Sequence, residues 1–189
     1  FSSGFAYQKS DNQTDTDGYT LNTNFERVSG LLKYQATDNG YTTTYSWIPS
    51  YGHNIGKSNV KYPEQEISHY PQELHSLAQI QINSNASDNN WNAKLYHHYQ
   101  NWDSDTLQVG QYHAVTQYQG HTIGGQWLQE LKLNKNTNYW GIDWLSRKGV
   151  KITSDYDLFS FNTIDQLVLQ NQMHGSEDNL AIYGKTNWQ

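Results

Sequence analysis

The connections between candidate strands alternate between long and short along the whole chain, and no other feature constrains the fold as strongly. The short connections cover 38–40, 85–90 and 134–137, and the long ones cover 10–18, 49–72, 102–110 and 149–179. In an up-and-down meander, successive connections lie on opposite sides of the sheet. Tight turns on one side and long loops on the other are typical of bacterial outer-membrane β-barrels. A soluble sandwich needs no such sorting, because both of its ends face the same solvent.

The composition favours the same architecture. The chain combines 7 Trp and 15 Tyr with a hydrophobic content of only 35%. Such a composition is too polar to fill the hydrophobic core of a soluble domain and too aromatic for a disordered chain. In a barrel only the lipid face must be apolar, and Trp and Tyr belong at the membrane interfaces. The net charge of −6 and the lack of a basic run predict no nucleic-acid partner. Without cysteine, the chain forms neither disulfides nor thiolate metal sites.

The 189 residues fit one domain or a piece of a larger one. No apolar run is long enough for a transmembrane helix. Because the chain begins at Phe1 rather than Met, we expect a processed chain or a segment of a longer one.

Alternation with a period of two residues predicts about eight antiparallel strands with one apolar and one polar face. We expect one set of side chains to face lipid: Leu32, Tyr34, Ile80, Ile82, Leu95, Trp127 and Ile142. We expect a second set to face the barrel lumen: Lys33, Gln79, Gln81, Lys94, His98, Gln126 and Glu130. Lys132 or Lys94 is the expected partner of Glu130.

Three stretches of the chain resemble the barrel of TonB-dependent outer-membrane receptors. They are NFERVSGLLKYQATDNGYTTTY at 24–45, HNIGKSNVKYPEQEISHYPQELHSL at 53–77 and NLAIYGKTNWQ at 179–189. Barrels of this kind have about 22 strands around a plug domain. The resemblance therefore implies that 1–189 is an early segment of such a barrel, and that the plug and the other strands lie outside it.

The resemblance implies import rather than catalysis. Such receptors bind a siderophore, haem, cobalamin or similar nutrient complex at the cell surface and import it with energy supplied by TonB through the plug. Outer-membrane lipid and lipopolysaccharide would surround the barrel, and no cofactor is implied. Cationic and aromatic groups suit an anionic, partly aromatic ligand. The candidate ligand-binding residues of the long loops are Tyr51, His53, Lys57, Lys61, Tyr62 and His69.

Two alternatives remain open: a stand-alone eight-stranded outer-membrane barrel, and a soluble carbohydrate-binding β-sandwich rich in aromatic residues. A closed eight-stranded barrel would bury the long polar side chains in a narrow interior. We therefore expect the segments 1–8 and 180–188 to be open edges that do not pair with each other. No catalytic residue is predicted, because no G-x-S-x-G or similar motif occurs. No metal site is predicted either, since the adjacent His97 and His98 point to opposite faces.

Overall fold

The computed structural model describes residues 1–58, 66–84, 89–133, 136–158 and 167–188, and in these residues the chain is all β. The strands are β1 Ser2–Ser10, β2 Gln13–Thr14, β3 Thr20–Leu21, β4 Phe25–Asp38, β5 Tyr41–Ser58, β6 Glu66–Ser84, β7 Asn89–Gln108, β8 Tyr112–Leu133, β9 Asn136–Leu158 and β10 Leu167–Trp188. Across the described ranges, no helix is long and apolar enough to cross a membrane.

Eight strands form one antiparallel sheet in the order β1-β4-β5-β6-β7-β8-β9-β10, and β2 pairs with β3 in a separate small hairpin. Every large strand therefore pairs with its neighbours in the chain, as the predicted meander requires. Strands β1 and β10 are the two edges, and the described strands do not close into a ring. The prediction that the first and last strands do not pair is confirmed.

Turn chemistry fixes the first large hairpin. Asn39 has φ 48° and Gly40 has φ 79° between β4 and β5. Both residues tolerate the left-handed region that a tight two-residue turn requires. This turn sets Asp38 opposite Tyr41 and brings Tyr34 opposite Tyr45. The short connection predicted at 38–40 is confirmed.

The long loops predicted at 49–72, 102–110 and 149–179 are wrong for most of their length. Strand β5 continues to Ser58, strand β6 begins at Glu66, and strand β7 continues to Gln108. Strands β9 and β10 cover most of 149–179. Strands β7 and β8 are joined at the opposite end of the sheet by a short turn, in which the Gln111 N–H donates to the Gln108 carbonyl at 3.0 Å. The connections at the Asn39-Gly40 end are called here the tight turns. Polar residues interrupt the period-two alternation in these strand ends, although the backbone pairing continues.

Several candidate ligand-binding residues consequently change position. Tyr51, His53 and Lys57 lie on β5, and His69 lies on β6, rather than in a loop. Lys61 and Tyr62 lie outside the described residues.

One face of the sheet, called here the apolar face, carries hydrophobic side chains at matching levels on successive strands. The pairing register aligns one such row across the sheet: Tyr34, Tyr45, Ile80, Leu95, Gly125, Trp144 and Leu180. The next row toward the tight turns reads Ala36, Thr43, Ile82, Ala93, Trp127, Ile142 and Ile182. All the residues predicted to face lipid share this face.

The apolar face is also the more exposed one. Leu95 is 51% exposed, Trp47 is 44% exposed and Ile182 is 72% exposed. No large side chain in the described residues is fully buried, so the sheet has no enclosed hydrophobic core of its own. A contiguous apolar surface of this extent needs a partner.

On the opposite face, tyrosine rings cover glycines of neighbouring positions. A Cβ atom on Gly124 would lie 2.3 Å from the ring of Tyr96, its cross-strand partner. A Cβ on Gly141 would lie 2.7 Å from the Tyr183 ring, which is also a cross-strand partner. The absent side chains let the rings lie flat against the sheet, an arrangement that stabilises glycine-containing strands.

Candidate functional site: the polar face

The second face, called here the polar face, carries the charged and hydrogen-bonding side chains that could bind a ligand. Successive strands align polar groups at one level: Gln35, Thr44, Gln81, Lys94, Gln126 and Asp143. The register places every predicted lumen residue on this face, including Lys33, His98 and Glu130. Lys132 Nζ lies 3.6 Å from Glu130 Oε1, which makes it the partner of that carboxylate.

A chain of polar contacts crosses the polar face from Arg27 on β4 to His98 on β7. Arg27 Nη2 donates to Glu73 Oε2 at 2.9 Å, and His75 Nε2 lies 2.9 Å from Glu73 Oε1. His75 Nδ1 lies 3.4 Å from His98 Nε2, and the two rings stack. Gln100 Nε2 is also 3.4 Å from His75 Nδ1. Glu73 is 19% exposed and accepts from both sides, so its charge is held between two donors.

A glycine makes the long reach of Arg27 possible. Arg27 pairs with Gly52, and Gly52 pairs with Glu73, so the guanidinium crosses a whole strand to meet the carboxylate. Since Gly52 has no side chain, the space over it is left to the Ile55 side chain and to the Arg27–Glu73 pair. A Cβ there would lie 2.6 Å from Ile55 Cδ1 and 3.6 Å from Glu73 Oε2. In the sequence, the only sign of this contact is Gly52, which lies on the strand between those that carry Arg27 and Glu73.

Toward the end of the strands away from the tight turns, three rings stack across β6, β7 and β8. Trp102 lies 5.6 Å from Tyr70 and 5.2 Å from Tyr118, measured between ring centroids, at angles of 30° and 13°. Lys57 Nζ lies 4.6 Å from the Tyr70 centroid. The stack was not predicted, because Tyr70 and Trp102 lie in segments interpreted as loops. Its rings cover one another and Lys57 covers the outer ring, so we assign it a packing role.

Two buried oxygen atoms on the polar face lack hydrogen-bond partners. These are Oδ1 of Asp143 and Oγ of Ser46. An unsatisfied buried acceptor costs about 1–3 kcal/mol, and the cost is greater for a charged group. The polar face therefore needs water or a further polar partner.

The other candidate ligand residues are dispersed. Tyr51 pairs with Val28 and Leu74 on the apolar face, and His53 pairs with Glu26 and Gln72 at the next level. His69 is the cross-strand partner of Asp105.

The histidines do not converge on a metal. His97 stacks on His121 with their ring nitrogens 3.0 Å apart, on the face opposite His98. In the part of the chain that the structure describes, no three His, Asp or Glu side chains are placed to hold a metal ion.

The chemistry available on the polar face is hydrogen bonding and charge pairing on a broad, wettable surface. The apolar face offers a shallow groove of about 540 Å³ lined by residues such as Tyr45, Trp47 and Leu95. The chain matches no model of a known protein family, and no curated protein sequence matches it.

Proposed function

We propose that this chain is a segment of an outer-membrane β-barrel, and that the whole barrel is a TonB-dependent receptor that imports a scarce nutrient complex. The membrane part of the proposal rests on one observation. The open meander has an exposed face on which hydrophobic side chains align from strand to strand, and an opposite face that is polar. A bilayer accepts such a sheet only if the strands close into a ring, since unpaired backbone groups are costly in lipid.

The open edges favour a larger barrel over the stand-alone eight-stranded one. Strand β10 has 22 residues and pairs only with β9 among the described strands, which leaves a long row of backbone donors and acceptors. Further strands would satisfy them. The unpartnered Asp143 and Ser46 atoms also suit a wide lumen that holds water or a plug domain. A soluble sandwich would need a second sheet, and the described residues contain only the two-stranded β2–β3 hairpin besides the main sheet.

The receptor part of the proposal rests on the resemblance of 24–45, 53–77 and 179–189 to TonB-dependent receptors. In that reading the polar face lines the transport path, with Lys33, Lys94, His98, Gln126 and Glu130 on it. The ligand would be a small anionic complex such as a metal chelate, captured at the end of the strands away from the tight turns. His53, Lys57, Lys61, Tyr62 and His69 lie toward that end in the sequence.

Two measurements test the proposal on the natural full-length protein. First, cell fractionation should recover it in the outer membrane, resistant to extraction by urea, with a mass several times the 21.9 kDa of this chain. Recovery in the soluble fraction would refute the membrane proposal, and a mass near that of the chain would favour the small barrel.

Second, deletion of the gene should abolish uptake of one ferric chelate, haem or cobalamin, and deletion of TonB should abolish the same uptake. Uptake that persists without TonB, or no uptake defect across these ligands, would refute the receptor assignment while leaving a membrane barrel intact.

A further inference from the structure

On the same side of the sheet as the apolar face, the strand ends away from the tight turns carry amides instead of hydrophobic groups. The register continues the side chains of the apolar face into two further rows there. We call this region the amide patch, and its members are Gln72, Asn101, Asp103, Gln117, Gln119 and Lys151. A shallow cleft of about 190 Å³ joins them. The patch therefore adjoins the apolar face but offers hydrogen bonds.

A β-bulge directs Lys151 into the patch. Lys148 pairs with His121 and Lys151 pairs with Gln119, so a step of three residues on β9 (151 − 148) opposes a step of two on β8 (121 − 119). Gly149, inside this step, has φ 61°. In a regular strand, residues three apart point to opposite faces, and a bulge re-aims one of them. Both lysines consequently lie on the side of the apolar face.

Most hydrogen-bonding groups of the patch are unused. Asp103 Oδ2 accepts from Gln72 Nε2 at 2.7 Å. The neighbouring charged groups on this side of the sheet are paired, since Lys148 Nζ donates to Asp178 Oδ2 at 2.7 Å and His113 Nε2 lies 2.8 Å from Asp105 Oδ1. Four side chains of the patch have neither a hydrogen bond nor an ion pair within the part of the chain that the structure describes: Asn101, Gln117, Gln119 and Lys151.

The donors and acceptors of the patch restrict the chemistry of a ligand. An ionised carboxylate only accepts hydrogen bonds, whereas an amide both donates and accepts. Asp103 and the amide oxygens need a ligand that donates, and Lys151 needs one that carries negative charge. A fully ionised phosphate supplies the charge but has no proton to donate. Sugar hydroxyls both donate and accept, as those of Ser and Thr do, so a phosphorylated sugar meets both requirements.

The position of the patch indicates what the sugar is attached to. Tyr99 precedes Asn101 by two residues on β7, and Ile123 follows Gln119 by four residues on β8. The register places both on the apolar face, where Ile123 is opposite His97 and Tyr99 is opposite His121. Two residues of a strand span about 7 Å. A molecule with its sugar on the patch would therefore have attached acyl chains on the apolar face.

We propose that the amide patch binds the phosphorylated sugar headgroup of a glycolipid whose acyl chains lie along the apolar face. The proposal rests on the membrane part of the proposed function, in which the strand ends away from the tight turns face the cell exterior. Lipopolysaccharide, the glycolipid of the outer leaflet of bacterial outer membranes, has this chemistry. Lys151 pairs with a phosphate, while Asp103 and Gln119 bind sugar hydroxyls.

Titration of the natural full-length protein in detergent micelles with purified lipopolysaccharide tests the proposal. Phosphatidylglycerol, an acidic lipid without a sugar, is the comparison lipid. The patch variants are Lys151→Gln and Gln119→Ala. Lys185→Gln and Gln35→Ala make the same changes on the polar face and serve as matched controls. Circular dichroism would verify that each variant is folded, and two patch positions protect the test against one variant that does not fold.

We expect the natural protein to bind lipopolysaccharide several-fold more tightly than phosphatidylglycerol. Lys151→Gln should weaken the binding of lipopolysaccharide by about tenfold and Gln119→Ala by about threefold, because a hydrogen bond to a charged group contributes more than a neutral one. The two controls should bind as the natural protein does. With enzymatically dephosphorylated lipopolysaccharide, the effect of Lys151→Gln should disappear and that of Gln119→Ala should remain.

Equal affinities for the two lipids, or patch variants that bind as tightly as their controls, would overturn the glycolipid site and leave the membrane barrel standing. Equally tight binding of the delipidated phosphorylated saccharide would mean that the patch takes a soluble glycan, which also overturns the proposal. The membrane part fails by a different result, recovery of the natural protein in the soluble fraction of cells, so the two failures are distinguishable.

Discussion

The presence or absence of one Cβ atom decides whether a tyrosine ring can lie flat over the neighbouring strand. Tyr96 lies flat over Gly124 because that position has no Cβ, and the neighbouring Gly125 faces the other side, where the nearest atoms to an added Cβ are 3.7 Å away. The two glycines are adjacent in the sequence, yet only one is under a ring. They form a matched pair for measuring what the tyrosine–glycine contact contributes.

We predict that Gly124→Ala lowers the free energy of unfolding by about 1–3 kcal/mol, because the Tyr96 ring must move and lose its packing. Gly125→Ala should be neutral or slightly stabilising, since alanine costs less conformational entropy than glycine. Urea titrations followed by tryptophan fluorescence would measure both variants.

A double variant, Tyr96→Ala with Gly124→Ala, completes the cycle. The cost of Gly124→Ala should largely disappear once the ring is gone. If Gly124→Ala is as costly in the absence of the ring, the contact does not explain the need for glycine.

At this scale the sequence was informative about faces but not about contacts. Period-two alternation is enough to separate Lys94 from Leu95, because successive side chains point to opposite sides of any strand. It says nothing about which strand Arg27 reaches. That contact depends on Gly52 and Glu73 being level with it, which is a property of the pairing register.

At the scale of the element, the hairpins are determined by the turns at the short-connection end. Gly40 has φ 79°, a conformation that residues with a side chain adopt at a cost. Gly175 on β10 has no such conformation, and an added Cβ there would meet open space. The two glycines therefore separate backbone strain from the general effect of replacing glycine.

We expect Gly40→Ala to destabilise the sheet by about 1–2 kcal/mol, the cost of placing an L-residue in the left-handed region. Gly175→Ala should change stability by much less. Thermal unfolding followed by circular dichroism at the β-sheet band would compare them. Equal losses in both variants would mean that the turn conformation is not what Gly40 contributes.

The ends of the strands were the least predictable part of each element. At 49–58 and 102–108 polar residues occupy both faces, so a pattern of polarity cannot distinguish them from a loop. Backbone hydrogen bonds to the neighbouring strand hold them in the sheet regardless of side-chain type. Tyr70 and Trp102 lie in segments interpreted as loops, 49–72 and 102–110, which is why the sequence did not reveal their stack with Tyr118.

At the scale of the whole molecule, the apolar face should behave as a surface that meets lipid. Ile80 lies in the middle of the apolar region, and its neighbour Gln79 lies on the polar face. Arginine at a midplane lipid position costs about 2–4 kcal/mol in an outer-membrane barrel. We predict that loss for Ile80→Arg in lipid vesicles, and a much smaller one for Gln79→Arg.

The folding free energy of both variants, measured by urea titration in the same vesicles, checks this prediction. A soluble protein whose apolar face packs on a second sheet would lose stability with Ile80→Arg in plain buffer as well, where no bilayer is present. Folding of the natural protein in buffer without lipid or detergent would therefore contradict the prediction.

The sequence by itself determined the class of the fold, the division of each strand into two faces and the tight turn at Asn39-Gly40. These are local properties, set by period-two alternation and by backbone conformations that few residues tolerate. Only the tertiary structure decided the lengths of the strands, the charge chain from Arg27 to His98 and the stack of Tyr70, Trp102 and Tyr118. Each depends on which residues of distant strands are level with one another, and hydrogen-bond register is set by the whole sheet rather than by any one segment.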